Sequence, residues 1–439
     1  MARQASQDSP AIHYIPELDG VRGIAIILVV LFHAGIGPAS NFNPLPFLYN
    51  ILSLGSSGVD LFFVLSGFLI TSILLSTKDA PVRSYFWSFY ARRVLRIFPL
   101  YFLAVALFFY IELPFLQRHG AGLVVIRSDQ FWYWTYLMNW HDAAGHIIDP
   151  LIHFWSLGIE EQFYFVWPAV VFFCAIRYFP ALCIGVGGLS LGLRVVLSTG
   201  HFIAPTLLSE FIHRATITRL DTLAVGALIA VLVVNSDWTK RVRCQIKLIA
   251  PAAFGAWSAM WWASEQGVSF PSNTFGYLAI AIAFGCVVFV CVTDQGSNHP
   301  LCRIARWRPL RSIGRYSYAM YVMHIFVKRS FYAVMVVIIL PRLMRTPFLA
   351  AMPPLVFSIF VLGVNLGTSY LLAVLSWHVF EKHFLRLKKY FPYQVGSPVS
   401  SERTVDTGER VAMGAIAASA CVSESGGASL SPFAPPSSM

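Results

Sequence analysis

The sequence contains few charged residues. Asp, Glu, Lys and Arg make up 12% of the 439 residues, about half of the share found in soluble globular domains. Hydrophobic residues make up 57%, more than the interior of a soluble protein of this length requires. This scarcity of charge excludes an ordinary soluble protein, and we predict an all-α protein that crosses a membrane many times.

Cysteine is also scarce, and its placement excludes two common scaffolds. The seven cysteines form no Cys-x-x-Cys pair, which argues against a disulfide framework and against a zinc site. His141, His146 and His153 precede one predicted span, but their spacing matches no standard ligand pattern. We therefore expect no metal.

Long apolar segments dominate the rest of the chain. About 20 apolar residues are needed to cross a hydrocarbon core of about 30 Å. The segment 131–140 is apolar but too short, so we expect it to lie at the membrane interface. We predict ten transmembrane helices, near residues 21–38, 56–76, 97–116, 155–176, 181–198, 217–235, 248–264, 274–293, 314–338 and 350–380.

Basic residues determine the predicted orientation. Lys and Arg concentrate in alternate connections, for example at 92–96, 240–247 and 303–315. Cytoplasmic loops of membrane proteins carry such an excess, so we place both termini in the cytoplasm. The same loops account for most of the net charge of +11, and we expect no nucleic-acid partner.

The two ends of the chain differ in composition from its centre. Residues 1–13 are polar, unlike the start of a cleavable signal peptide. From about residue 393, Ser, Gly, Ala and Pro replace the apolar segments, and such a composition cannot bury enough surface to fold alone. We predict a polar tail (1–13), one transmembrane domain (14–392) and a disordered tail (393–439).

The first predicted span carries two polar residues in an otherwise apolar run. Arg22 and His33 are eleven residues apart, which is close to three full helical turns. Both therefore lie on one face of a helix, about 16 Å apart along its axis. One hypothesis is a polar track along this face. The alternative is that Arg22 extends to the lipid headgroups while His33 makes one interhelical hydrogen bond.

Polar residues of other spans fall at a depth similar to that of His33. They are Asp60 in the second span, Glu160 and Glu161 in the fourth, and Arg219 and Asp221 in the sixth. Ser156, Glu160 and Tyr164 are spaced four residues apart and share one stripe of a helix. A histidine among carboxylates suits the role of general base, because a carboxylate orients the ring and stabilises its protonated form. We predict that the catalytic group comprises His33, Asp60, Glu160 and Glu161. The alternative is a buried ion-pair network that only fixes helix packing.

A basic cluster begins the third span at the end where Arg22 lies. Arg92 or Arg93 is one helical turn from Arg96. Guanidinium groups bind phosphate oxygens in a bidentate manner, so we predict that Arg22, Arg93 and Arg96 hold a nucleotide-bearing donor. The alternative is an anchor that contacts anionic lipid.

Six segments carry a family resemblance, in this order along roughly residues 14–385. They are LDGVRGIAIILVVLFH, GVDLFFVLSGFLI, FYARRVLRIFPLY, FWSLGIEEQFYFVWP, RLDTLAVGALIA and YSYAMYVMHIFV. Together they resemble the acyltransferase 3 family of membrane-bound acyltransferases. The resemblance implies a ten-span domain that transfers an acyl group, commonly acetyl, from cytoplasmic acyl-CoA to a hydroxyl group on the outer side. The residues that we assign to substrate binding are Ser156, Tyr164, Arg219, Asp221 and His324.

The predicted function is therefore that of an O-acyltransferase in the bacterial inner membrane. Its donor is acyl-CoA, and acetyl-CoA is the usual donor in the family. Its acceptor is a carbohydrate or a glycolipid. Membrane lipids are its other expected partners. Some family members continue into a hydrolase-like domain, which we do not expect here. Two alternatives stay open: a secondary transporter, which also places ionisable residues near the middle of the membrane, and a scaffold or receptor whose polar residues only pack helices.

Overall fold

The computed structural model describes residues 14–34, 52–118, 127–200, 202–332 and 353–394. Within these residues the chain forms helices and no β-strand, which satisfies backbone polar groups inside a membrane. The α-helices are α1 (Pro16–His33), α2 (Gly58–Ser76), α3 (Val82–Leu107), α4 (Leu113–Arg118), α5 (Gln130–Trp134), α6 (Met138–Ala143), α7 (Trp155–Phe173), α8 (Phe179–Thr199), α9 (Pro205–Arg214), α10 (Leu220–Val234), α11 (Ser236–Glu265), α12 (Tyr277–Thr293), α13 (Pro300–Ala305), α14 (Arg308–Arg315), α15 (Ser317–Tyr332), α16 (Pro354–Ser376) and α17 (Lys382–Leu385).

Local sequence explains where many helices begin. Six of them, α1, α8, α9, α13, α14 and α16, have proline in the first turn, where its missing N–H costs no helical hydrogen bond. Asn235 separates α10 from α11, and its side chain accepts hydrogen bonds from the N–H groups of Asp237 and Trp238 at 3.1 and 3.0 Å. The chain bends by 119° at this point.

Each of the ten predicted spans overlaps a helix, but fewer helices are long and apolar enough to cross a bilayer. Among the described residues, those that qualify are Leu54–Ser76, Val82–Arg118, Ile176–Thr199, Ser272–Thr293 and Ser358–Tyr390, with the bent pair α10 and α11 as a sixth. α1 contains Arg22, and α7 contains Glu160 and Glu161, three of the charged residues that sequence analysis singled out. The chain is a multi-pass membrane protein, whereas ten spans and cytoplasmic termini stay predictions.

Most of the two predicted tails falls on residues that the structure does not describe. Residues 1–13 and 395–439 lie outside the described residues. Tyr393, which we placed in the C-terminal tail, packs instead against α3, where the guanidinium carbon of Arg92 lies 4.6 Å from the centre of its ring. This contact joins the C-terminal segment to α3.

Two helices occupy the centre of the bundle. α2 packs against α1, α7, α10 and α12, and α1 also contacts α13, α14 and α15. Glycine permits the closest of these contacts, because a Cβ atom added at Gly67 of α2 would lie 2.0 Å from the carbonyl oxygen of Leu223. A Cβ atom at Gly226 of α10 would lie 2.0 Å from the carbonyl oxygen of Val64. The backbones of α2 and α10 thus touch, as in other membrane helix pairs with small residues at the interface.

Replacing Gly67 with Ala should separate α2 from α10 and lower the free energy of unfolding by about 1–3 kcal/mol, the usual cost of overpacking. The measurement is the melting temperature of the purified full-length protein in detergent. Gly188→Ala is the matched control, because no atom lies within 4 Å of a Cβ atom added at Gly188. Equal melting temperatures for the two variants would contradict this account of the interface.

Candidate active site

Two cavities lie near opposite ends of α1. The first, of about 100 Å³, is here called the arginine cavity, and the second, of about 420 Å³, is called the histidine cavity. The polar lining of the arginine cavity includes Arg22, Ser66, Arg93, Arg96, Glu160 and Tyr164. The polar lining of the histidine cavity includes His33, His153, Glu210, His213, Arg214 and Arg329. The polar face of α1 thus contributes Arg22 to one cavity and His33 to the other.

Three arginines from two helices meet in the arginine cavity. Arg22 comes from the second turn of α1, and Arg93 and Arg96 are three residues apart on α3. Nη1 of Arg22 also lies 3.4 Å from Oδ1 of Asp19. Three guanidinium groups around one small cavity suit an anionic ligand such as a phosphate.

The neighbouring Arg92 has a different environment. Its Nη1 donates hydrogen bonds to the main-chain carbonyls of Lys388 and Phe391, at 3.1 and 3.2 Å, and its guanidinium stacks on Tyr393. Arg92 therefore fastens the C-terminal segment to α3, whereas Arg93 lines the cavity. Sequence spacing alone could not decide between these two residues.

A serine, a glutamate and a tyrosine form a hydrogen-bonded group in the same cavity. The Ser66 hydroxyl donates to Oε1 of Glu160 at 2.7 Å. The Tyr164 hydroxyl lies 3.0 Å from Oγ of Ser66 and 3.3 Å from Oε2 of Glu160. Ser156, one turn before Glu160 on α7, lines the cavity as well. Sequence analysis missed Ser66, because a single hydroxyl in an apolar helix produces no periodic pattern.

Glu161 lies apart from this group. It lines a neighbouring hollow together with Arg93, Tyr136 and Gln162. Consecutive helical residues point about 100° apart, so the two carboxyl groups of α7 face different surroundings. Glu160 is the member of the pair that lines the arginine cavity.

His33, which lines the histidine cavity, contacts His324, which does not belong to the lining. Its Nδ1 lies 3.0 Å from the carbonyl oxygen of Val29 and 3.3 Å from Nε2 of His324. The ring of His153 follows, 4.9 Å from that of His324 between centroids. Among the described residues, no group of three or more His, Cys, Asp or Glu side chains is arranged as a metal site.

These contacts determine which nitrogen of His33 carries the proton. His324 Nδ1 lies 2.7 Å from the carbonyl oxygen of Tyr321, an acceptor, so His324 holds its proton on Nδ1 and accepts through Nε2. His33 therefore donates from Nδ1 to both Val29 and His324. In the neutral form its Nε2 is the proton-accepting nitrogen, as a general base requires.

The carboxylates that we expected to orient His33 have other partners. Glu160 accepts from Ser66, and Oδ1 of Asp60 lies 2.5 Å from Nη2 of Arg219. The structure differs from the sequence-based expectation at this point, because His324 occupies the position beside His33. Nothing local in the sequence indicates a contact between residues so far apart along the chain.

Two buried ion pairs connect helices without lining either cavity. Besides Asp60 and Arg219, Asp221 lies 2.6 Å from Arg194, and both side chains are fully buried. The guanidinium of Arg219 also stacks at 3.9 Å on the ring of Tyr277, which lines the histidine cavity. Within the described part of the chain, Asp60, Arg219 and Asp221 do not line either cavity. The geometry favours the ion-pair network, which joins α2 and α8 to α10, and direct roles for these residues in catalysis or substrate binding stay predictions.

The fold and the cavities define a class: a multi-pass helical membrane protein with polar cavities at both ends of one helix. The family described as "Acyltransferase domain" matches residues 15–374, and the chain belongs to this family. The match confirms the resemblance of the six sequence segments.

Two curated relatives are each 29% identical to this chain over the aligned residues. "O-acetyltransferase OatA" of Staphylococcus aureus is 29% identical over 328 residues, covering 71% of this chain and 50% of the relative. "Peptidoglycan O-acetyltransferase OatA" of Listeria monocytogenes is 29% identical over 323 residues, covering 71% and 49%. The chain thus spans about half the length of the curated relatives it matches. No solved structure matches the chain significantly.

Replacing Asp60 with Asn should leave Arg219 buried without a counter-charge and lower the free energy of unfolding by about 3–5 kcal/mol. The double variant Asp60→Asn with Arg219→Gln should lose less than the sum of the two single losses, because it removes both charges. Chemical unfolding of the purified variants measures this coupling. Strict additivity of the two changes would show that the ion pair contributes nothing.

Proposed function

We propose that the protein is a membrane O-acyltransferase that moves an acyl group from a donor in the arginine cavity to a hydroxyl group in the histidine cavity. The observation that carries this proposal is the polar face of α1, which contributes Arg22 to one cavity and His33 to the other. Membership in the acyltransferase family supports the type of reaction.

The proposed donor is acyl-CoA, with acetyl as the acyl group. CoA carries phosphates at one end and the thioester at the other, and Arg22, Arg93 and Arg96 provide guanidinium groups for the phosphates. The order of the side chains along α7 suggests how the donor is oriented in the arginine cavity. Arg93 lies 5.4 Å from the ring centre of Tyr164, and Glu160 and Ser156 follow at one-turn intervals. The thioester would therefore lie toward Ser156.

The proposed acceptor is a hydroxyl group of a cell-surface glycan. Nε2 of His33 takes the hydroxyl proton while the oxygen attacks the thioester carbonyl carbon. The carbon–sulfur bond then breaks, and the proton passes from His33 to the departing sulfur, which leaves as the CoA thiol. His324 holds the His33 ring in the tautomer that accepts this proton.

The proposed location is the bacterial inner membrane, with ten spans and both termini in the cytoplasm. The arginine cavity then faces the cytoplasm, where acyl-CoA is made, and the histidine cavity faces the outer side. Similarity to an O-acetyltransferase and to a peptidoglycan O-acetyltransferase supports an acetyl group and a peptidoglycan-like acceptor. The positive-inside distribution of basic residues supports the orientation.

Arg93→Ala should weaken acetyl-CoA binding by a factor of about 10–150, because a charge-assisted hydrogen bond contributes about 1.5–3 kcal/mol. The measurement is the rise in melting temperature of the purified protein over a series of acetyl-CoA concentrations, from which the dissociation constant of each variant is fitted. Arg83→Ala, an exposed arginine on the same helix, is the control and should bind normally. Absence of any stabilisation of the unaltered protein by acetyl-CoA would contradict the donor assignment and favour a transporter or scaffold.

His33→Ala should lower acyl transfer by a factor of about 10²–10⁴, the usual contribution of a general base, with acetyl-CoA binding unchanged. Mass spectrometry of base-labile acetyl esters on surface glycans measures the product, in cells that hold equal amounts of each variant. His378→Ala, which alters an exposed histidine, is the control. Full ester levels with His33→Ala would remove His33 from the mechanism.

A further inference from the structure

Tyr321 of α15 stands between the arginine cavity and the histidine cavity. It lines both, and no other described residue is common to the two linings. Its side chain is almost fully buried, at 6% exposure. The wall that separates the two cavities therefore includes this one phenol ring.

Hydrogen bonds hold the ring of Tyr321 in place. Its hydroxyl donates to the main-chain carbonyl of His153 and lies 2.6 Å from Oγ of Ser156. A phenol has a single proton, and that proton is used on the carbonyl oxygen, so Ser156 must be the donor in the second bond. These two bonds join α15 to the start of α7.

The surroundings of the ring differ on its two sides. Phe62, which lines the arginine cavity, lies 6.2 Å from Tyr321 between ring centroids. His153, which lines the histidine cavity, lies at 5.6 Å. The ring thus has an apolar contact toward the donor side and an imidazole toward the acceptor side.

We propose that Tyr321 is the partition between the donor and the acceptor, which shields a bound thioester from water in the histidine cavity until an acceptor hydroxyl is present. This inference rests on the proposed function. Ser156 and the His153 carbonyl keep the ring closed, and transfer requires the ring to swing aside. Tyr321 is in this account a positioning residue that acts on access and not on the bonds that change.

Shielding has a chemical purpose at this site. Water that reached the thioester near His33 would attack the same carbonyl carbon as the acceptor, breaking the carbon–sulfur bond and releasing acetate and the CoA thiol. An enzyme that binds donor and acceptor from opposite sides of a membrane must suppress this hydrolysis while it waits for the acceptor. A bulky ring at the meeting point of the two cavities meets that need.

The test is the rate of CoA thiol release from acetyl-CoA by the purified full-length protein without acceptor. Tyr321→Ala removes the ring and should raise this rate at least tenfold. Tyr321→Phe keeps the ring but loses both hydrogen bonds, and Ser156→Ala loses one, so each should give a smaller rise. Tyr110→Ala is the control, because Tyr110 is an exposed tyrosine that lines neither cavity and its removal should not raise hydrolysis.

The outcomes separate this inference from the proposed function. If Tyr321→Ala binds acetyl-CoA but releases thiol at the rate of the unaltered protein, the partition is wrong while the transferase proposal stands. If Tyr321→Ala does not fold, Tyr321→Phe decides the question, and an unchanged rate in both Tyr321→Phe and Ser156→Ala overturns the inference. If the unaltered protein neither binds acetyl-CoA nor transfers its acetyl group, the proposed function itself fails.

Discussion

A charged side chain inside a membrane protein requires either a partner or a polar cavity, and this requirement organises the structure. Asp60 with Arg219 and Asp221 with Arg194 satisfy it as buried ion pairs. These pairs join α10 to α2 and α8, where Gly67 and Gly226 allow the backbones to touch. These ion pairs therefore hold the helices together, whereas Arg22, Arg93, Arg96 and Glu160 line the arginine cavity.

Helix α1 links the two cavities, because Arg22 lines one of them and His33 lines the other. Its Arg22 and His33 face the same side because eleven residues nearly complete three turns. On this account one short helix brings a phosphate-binding group and a proton acceptor to opposite sides of the membrane. Tyr321 lines both cavities, and in its proposed role it keeps a reactive thioester away from water until the acceptor arrives.

Sequence reasoning succeeded where the determining pattern was local. Helical periodicity placed Arg22 and His33 on one face, and the overlap of all ten apolar segments with helices reflects the same local patterning. It fell short where contacts join distant parts of the chain. The pairing of His33 with His324, the hydrogen bond from Ser66 to Glu160 and the attachment of Arg92 to the C-terminal segment depend on tertiary packing, for which a single sequence carries no periodic pattern.

The central claim is that a donor and an acceptor meet from opposite ends of α1. A cryo-electron microscopy structure with a non-hydrolysable thioether analogue of acetyl-CoA tests it most directly. The account predicts the phosphates of the analogue beside Arg22, Arg93 and Arg96, with its acetyl end toward Ser156 and Tyr321. An analogue bound in the histidine cavity, or outside both cavities, would contradict the account.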